Sequence, residues 1–324
     1  MPRLNSAGKF SGRVLVTGAT GFLGRAVADA LESAGHHVLR GTRLVGERAR
    51  DRHTWVRYGE IGPQTSWDDA LDGVATVVHL AGLAHLPDEQ TQSAAEAFKR
   101  VNAEGTTALA KAAAAKGVRR FVLMSSVLVH GNASRVRPFT EGDKERPETA
   151  YAQSKLDAEL GLKAVAGDAG MEWVILRPPM VYGSGARGNF RRLVGLVATG
   201  LPLPLGCATA PRRFIGIDNL ASAAVEAVTH PGAADQTFLI GDAETTSTAG
   251  LIRLIADALD RHVSLLPVPA AFLRMAFRLL GKERDAARLF DPLEVDIGHI
   301  RAQLDWVPPV SLAEGVRRAV ASEG

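Results

Sequence analysis

The stretch Val14-Leu15-Val16-Thr17-Gly18-Ala19-Thr20-Gly21-Phe22-Leu23-Gly24 decides the fold. It opens as a short apolar, β-branched run, which reads as a buried strand from Arg13 to Thr17. Three glycines at three-residue spacing follow, and an amphipathic helical pattern then runs from Phe22 to about Ala34, where Gly35 ends it. Gly18 allows a tight turn, Gly21 lets the backbone approach a bound pyrophosphate, and Gly24 permits close helix–strand packing. The amides and dipole at the helix start would hold the negative charge. A strand, a glycine turn and a helix in this order predict a dinucleotide site.

Outward from this unit the alternation repeats. His37–Arg40, Val74–Leu80, Arg120–Met124 and Trp173–Leu176 read as strands, with a further short strand ending at Tyr58. Helical patterns cover about Ala94 to Lys116, closed by Gly117, and about Tyr151 to Ala166. Strands separated by helical crossovers predict a doubly wound α/β fold, a parallel sheet with helices on both faces. Ligands in such sheets bind beyond the carboxyl ends of the strands. After Arg177-Pro178-Pro179, proline and glycine punctuate the chain and the helices shorten, ending in a helix, a Trp-Val-Pro-Pro turn and a terminal helix over Ile300 to Ala321. The expected division is a dinucleotide-binding domain, 1–179, and a smaller mixed α/β substrate domain, 180–324.

Composition sets outer bounds. The 324 residues are 46% hydrophobic and 23% charged, which excludes a largely disordered chain and suggests about two domains at roughly 150 residues each. No apolar run reaches the ~18–20 residues of a bilayer span, so no membrane span is expected. Met1 to Gly12 lacks the apolar core of a signal peptide, and the sole cysteine, Cys207, reads as a small loop residue, so a cytoplasmic location is expected. A net charge of +3 gives no reason to expect nucleic acid as a partner. Nine histidines and one cysteine show no ligand spacing, and no metal is expected.

About 20 residues past the first glycine, an acid would hold the ribose hydroxyls of NAD. Arg40 and then Arg43 stand there, and the nearest acid is Glu47. Guanidinium groups suit a 2′-phosphate, so NADP is favoured slightly over NAD. Glu60 and Ile61, after the short strand, are placed to meet the adenine.

The chemistry-bearing pattern is Tyr151-Ala152-Gln153-Ser154-Lys155, a phenol and an ammonium on one helix face. Free tyrosine titrates near 10, and a cation ~4 Å away is worth roughly 4 kcal/mol at an effective dielectric of about 20. That attraction brings the phenol toward neutral pH, where it can trade a proton with a carbonyl or hydroxyl oxygen. Ser126, at the end of the strand Arg120–Met124, would hydrogen-bond the same oxygen. Asn102 is a polar interruption of the Ala-rich helix, placed either to break it or to reach the site through water. His79 reads as a core imidazole, and His85 faces the expected substrate side.

These residues together resemble the extended short-chain dehydrogenase/reductases, the NAD-dependent epimerase/dehydratase group, which act mostly on nucleotide sugars. The resemblance rests on Thr-Gly-Ala-Thr-Gly-Phe-Leu-Gly at 17–24, His-Leu-Ala-Gly at 79–82, Val-Asn-Ala-Glu-Gly-Thr at 101–106 and Ser-Ser at 125–126. It continues through Tyr151 and Lys155 to Arg-Pro-Pro-Met-Val-Tyr-Gly at 177–183 and Asp-Asn-Leu-Ala at 218–221. It implies a Rossmann-type sheet, Tyr151 as acid and base, Lys155 as its tuner and Ser126 as the group polarising the reacting oxygen. It also assigns the cofactor to Gly18, Thr20, Gly21, Phe22, Leu23, Leu80, Ala81, Gly82, Asn102 and Pro178, with Tyr151 and Lys155. A nucleoside diphosphate sugar, most simply a UDP-sugar, would meet His85, Ser126, Asn189 and Arg212, with Arg213 the less favoured neighbour. A homodimer through the helices at 94–116 and 151–166 is implied as well.

Within that group, the dehydratases carry an Asp-Glu pair where this chain has Val127-Leu128, so dehydration is not expected. Residues 177–206 resemble bacterial 4-ketoreductases that make UDP-N-acetylquinovosamine from a UDP-4-keto-6-deoxy-N-acetylhexosamine in surface-polysaccharide synthesis. Met180 stands where many hexose 4-epimerases have an asparagine. The expectation is therefore a 4-ketoreductase, with a UDP-hexose 4-epimerase holding tightly bound NAD as the alternative. A dinucleotide-dependent binding protein without catalysis is the third reading.

Overall fold

A computed structural model describes residues 12–43, 53–84, 86, 91–186 and 188–321. Seven strands form one sheet: β1 (Arg13–Thr17), β2 (His37–Thr42), β3 (Thr54–Arg57), β4 (Val74–His79), β5 (Arg120–Met124), β6 (Glu172–Arg177) and, much later, β10 (Gln236–Leu239). Their spatial order is β10-β6-β5-β4-β1-β2-β3, every pair parallel. The order reverses at β1, which lies between β2 and β4, so a crevice opens past Thr17 and His79. Between β6 and β10 run three short strands, β7 (Val181–Tyr182), β8 (Arg212–Arg213) and β9 (Ile215–Gly216), and β11 (Thr245–Thr246) follows; β7 pairs with β9 and β8 with β11.

The sheet sorts its side chains by strand alternation. Val14, Val16, Val122, Met124, Val174 and Leu176 point to one face. There they meet Val27 and Leu31 of α1 (Phe22–Ser33) and Leu220 and Ala224 of a later helix. Leu15, Val77, Phe121, Leu123 and Ile175 point to the other, against the helices that follow β4 and β5.

The long helix expected over 94–116 is three pieces: α2 (Gln92–Phe98), a π-helical turn (Lys99–Glu104) and α3 (Gly105–Ala115). Asn102 lies in the wide turn, which rotates its amide toward the sheet end instead of along the helix surface. Next come α4 (Ala150–Ala169), α5 (Asn189–Ala198), α6 (Ile217–Thr229), α7 (Thr248–Ala258), α8 (Ala270–Leu279), α9 (Glu283–Phe290), α10 (Gly298–Leu304) and α11 (Leu312–Ala321).

A division at 179/180 is too simple. The chain leaves the large sheet at β6 but returns to it: α6 packs on α1, and β10 adds the edge strand beside β6. Only the remainder of the second half, around Tyr182, Phe190, Phe214, Ile252 and Val316, builds a core of its own. Among the described residues no helix is long and apolar enough to cross a membrane.

Candidate active site

The glycine turn has the form the dinucleotide reading requires. Gly18 sits at φ +69°, and a Cβ there would come within 2.9 Å of the Ala81 backbone. A Cβ on Gly24 would overlap the Gly18 carbonyl. Gly21 caps α1 without any side-chain hydrogen bond, and the first turn, from Phe22 and Leu23 onward, holds no carboxylate. The amides left over at a helix start therefore face a cradle lined by backbone, which fits a pyrophosphate.

At the adenosine end the two arginines part company. Arg40, expected at the adenosine ribose, is instead buried in β2, and its guanidinium donates to Asp29 at 2.5 Å and to both oxygens of Glu32 at 2.9 Å, both on α1. Strand alternation turns it toward α1, not toward the strand's carboxyl end, and its donors are already taken by carboxylates. Asp29, Glu32 and His53 cluster closely enough to suggest a cation site, and the guanidinium of Arg40 is the cation they meet. Arg43, at the end of β2, is exposed and pairs loosely with Glu60 at 3.3 Å, while Ile61 is buried beside Gly105. Arg43, Glu60 and Ile61 thus stand together at the strand ends. Glu47 lies outside the described residues.

Thr17, His79, Thr106 and Asn102 form a chain of hydrogen bonds behind the crevice. The Thr17 hydroxyl accepts from the Leu80 and Ala81 amides at 3.2 and 3.3 Å and donates to His79 Nδ1 at 2.7 Å. His79 Nε2 then donates to Thr106 Oγ1 at 3.1 Å, and Thr106 donates to the Asn102 carbonyl at 2.5 Å. Burial, with Lys155 nearby, pushes the His79 imidazole down to about 3, so it is a neutral structural link. Asn102 clamps the segment after β4: its Oδ1 accepts from Leu83 N at 2.8 Å and its Nδ2 donates to Leu83 O at 2.9 Å. The same Nδ2 reaches Ser154 Oγ at 3.0 Å, and Ser154 donates to the Tyr151 carbonyl, so a residue the sequence reading passed over ties α4 to this segment.

Tyr151 lies in the first turn of α4, half-buried, with its ring edge-on to the fully buried Phe98 at 5.8 Å between centroids. Lys155, one turn later, donates to the Met124 carbonyl at 2.9 Å. A Cβ on Gly82 would sit 3.7 Å from the Lys155 ammonium and 2.8 Å from Asn102 Oδ1, so only glycine leaves that space open. Burial lowers the Lys155 ammonium to about 8, against a partial counter-effect from Glu159. Ser126 is buried at the end of β5 and caps a 3₁₀ turn that packs on α4, while Val127 N donates to the Pro178 carbonyl at 2.9 Å. Ser126, Lys155, Gly82, Asn102 and Pro178 thus converge at the ends of β4, β5 and β6, with Tyr151 opening the helix beside them.

A second buried network braces this end. Glu159, one turn past Lys155, takes Arg177 Nη2 at 2.5 Å and Nε at 3.0 Å and accepts from Ser125. Arg177 also donates to Glu145 at 3.0 Å and to His130 Nε2 at 2.8 Å. Burial works against the Arg177 charge, but its two carboxylates hold it above the usual arginine range.

In the second half, Arg212 on β8 is buried and donates to the Asp291 carbonyl at 2.5 Å. The Asp291 carboxylate is shared with Arg135 at 3.2 Å and Arg274 at 2.6 Å. Burial lowers Arg212 to about 10, with Asp291 opposing the shift and Arg288 adding to it; several guanidinium groups thus gather around one carboxylate. Arg213 spends its donors on the carbonyls of Val295, Asp242 and Ala243. Asn189 opens α5, half-buried, beside the buried Phe190. His85 lies outside the described residues. An open cavity of about 450 Å³, lined by Thr91, Pro147, Glu148, Thr149, Gln153 and Arg284, flanks the turn that carries Tyr151.

A dinucleotide-binding α/β sheet with a Ser, a Tyr and a Lys gathered at its carboxyl edge defines a class of oxidoreductases. The family model described as the NAD dependent epimerase/dehydratase family matches residues 14–241, and the chain belongs to that family, as an enzyme of its NAD(P)-dependent type. It is 37% identical to a UDP-glucose 4-epimerase of Vibrio cholerae, over 94% of this chain and 93% of that one. It is 29% identical to a ceramide reductase of Caulobacter vibrioides, over 94% and 89%. The fold is shared with UDP-N-acetylglucosamine 4-epimerase from Bacillus cereus, at TM-score 0.78 and 20% identity over 97% of this chain and all of the other.

Proposed function

We propose that the protein exchanges hydrogen at C4 of a nucleoside diphosphate sugar, and that the reaction is 4-epimerisation of a UDP-hexose. The observation that carries the C4 chemistry is the placement of the Lys155 ammonium between the Met124 carbonyl and the open space over Gly82, one helical turn from Tyr151. Bound NAD(P) would supply hydride chemistry there. The chain's own task is the proton: Tyr151 takes it from the 4-hydroxyl and returns it to the 4-keto oxygen, Lys155 stabilises the phenolate, and Ser126 donates to the same oxygen. The arginines around Asp291 suit a diphosphate, because their shared carboxylate leaves positive charge uncompensated. The 37% identity to a 4-epimerase over nearly the full length favours epimerisation.

Met180 in place of the epimerases' asparagine favours the second reading, reduction of a UDP-4-keto-6-deoxy-N-acetylhexosamine. Two copies pairing through α2–α3 and α4 would complete the assembly. One measurement separates the readings: interconversion of UDP-glucose and UDP-galactose without added reductant, against loss of 340 nm absorbance with a UDP-4-keto sugar. Tyr151→Phe lowers either turnover by about 10²–10⁴-fold while dinucleotide binding persists. Retained activity in that variant, or no turnover of either substrate class by the parent protein, refutes the reading.

A further inference from the structure

We propose that α8 seats the protein on an anionic lipid surface. The helix carries apolar side chains on its outward arc as well as on its inner one. Leu273 and Phe277 pack toward the second core, yet no residue of α8 is fully buried. On the opposite arc, Phe272, Met275 and Leu279 follow one another at three- and four-residue steps, and these side chains are 63–82% exposed. A soluble surface helix normally turns such a stripe inward, so an outward one marks an interaction face.

Charge selects the occupant. Residues 270–291 carry five cations, Arg274, Arg278, Lys282, Arg284 and Arg288, against Glu283, Asp285 and Asp291, which pair with Arg278, Arg288 and Arg274. The segment keeps an excess of two positive charges, against a formal net charge of +3 for the whole chain. An apolar arc rimmed by arginine and lysine matches the boundary between acyl chains and anionic headgroups, where such a helix lies in the plane of the interface. A second copy of the same face would set cation against cation. The inner side of α8 sends Arg274 to Asp291, so seating the helix would hold the Arg212 cluster next to the lipid.

The test is flotation of the full-length protein with vesicles of phosphatidylcholine alone or with about one-third phosphatidylglycerol. The expected result is binding to the anionic vesicles at least about tenfold above the neutral ones, weakening as salt is raised. The variant Phe272→Ser/Met275→Ser/Leu279→Ser should no longer float, and Arg278→Gln/Lys282→Gln should bind about fivefold more weakly for each cation removed. All five side chains lie outside the core, and an unchanged melting temperature with retained turnover of a soluble UDP-sugar shows that the variants fold. Should the parent protein stay unbound in low salt, or the triple variant float as well as the parent, the proposal falls. A triple variant that instead splits a dimer, with no vesicle binding by the parent, assigns the face to a second copy and overturns it equally.

Discussion

Arg177 and Arg212 are both deeply buried arginines, and their surroundings assign them opposite work. Arg177 faces Glu159 and Glu145, accepts no further neutralisation, and stays firmly charged. Arg212 meets a backbone carbonyl and a carboxylate already divided among other guanidinium groups, and its charge is destabilised. The first closes a structural network; the second leaves an electrostatic demand that a phosphate would meet. Burial alone therefore says little about an arginine, whereas the ratio of carboxylates to guanidinium groups around it says much.

The sharpest way to break the comparison is to remove the closed pair. Arg177→Met strands the buried Glu159 carboxylate and should cost about 3–5 kcal/mol of stability, read from urea unfolding. Arg212→Met should leave stability within about 1 kcal/mol, since an apolar side chain replaces a poorly compensated cation. UDP should then bind about 10–100-fold more weakly, corresponding to about 1.5–3 kcal/mol for bonds to a charged group, measured by calorimetry. Equal stability losses in the two variants would erase the distinction.

Titration sharpens it further. Lys155 is charged below about 8 and loses its proton above, so the chemical step should decline as pH rises through 8, seen in single-turnover rates. Stability moves the other way. The folded lysine releases its proton at about 8 and the unfolded one near 10.5, so this residue's contribution grows across that interval as pH rises. The smallest effect concerns the exposed Arg43: Arg43→Asp should change the ratio of NADPH to NADH affinity without altering stability by more than about 0.5 kcal/mol.

The sheet was legible because its strands are short apolar runs whose alternation is local, and Arg120–Met124 begins and ends where the sequence reading put it. The glycine turn and the Tyr151–Lys155 spacing were legible for the same reason. Partners distant in sequence were not. Nothing near Arg40 shows that Asp29 and Glu32 are turned toward it across α1, and counting residues from Gly18 puts it at a strand end that actually falls at Thr42. Asp291 escaped notice because its arginines come from 135, 212 and 274. Glu159 and Ser154 could have been found, since they stand four residues and one residue from Lys155 on the same helix.

The late return of the chain to the large sheet bears on how the molecule could be cut. Without α6 and β10, a fragment ending at 179 would leave Val174 and Leu176 facing water and β6 as a raw, unpaired rim. Such a fragment should clump when produced alone and be rescued by co-production with the remainder. The halves are best regarded as interlocked, with a shared wall that neither can build by itself.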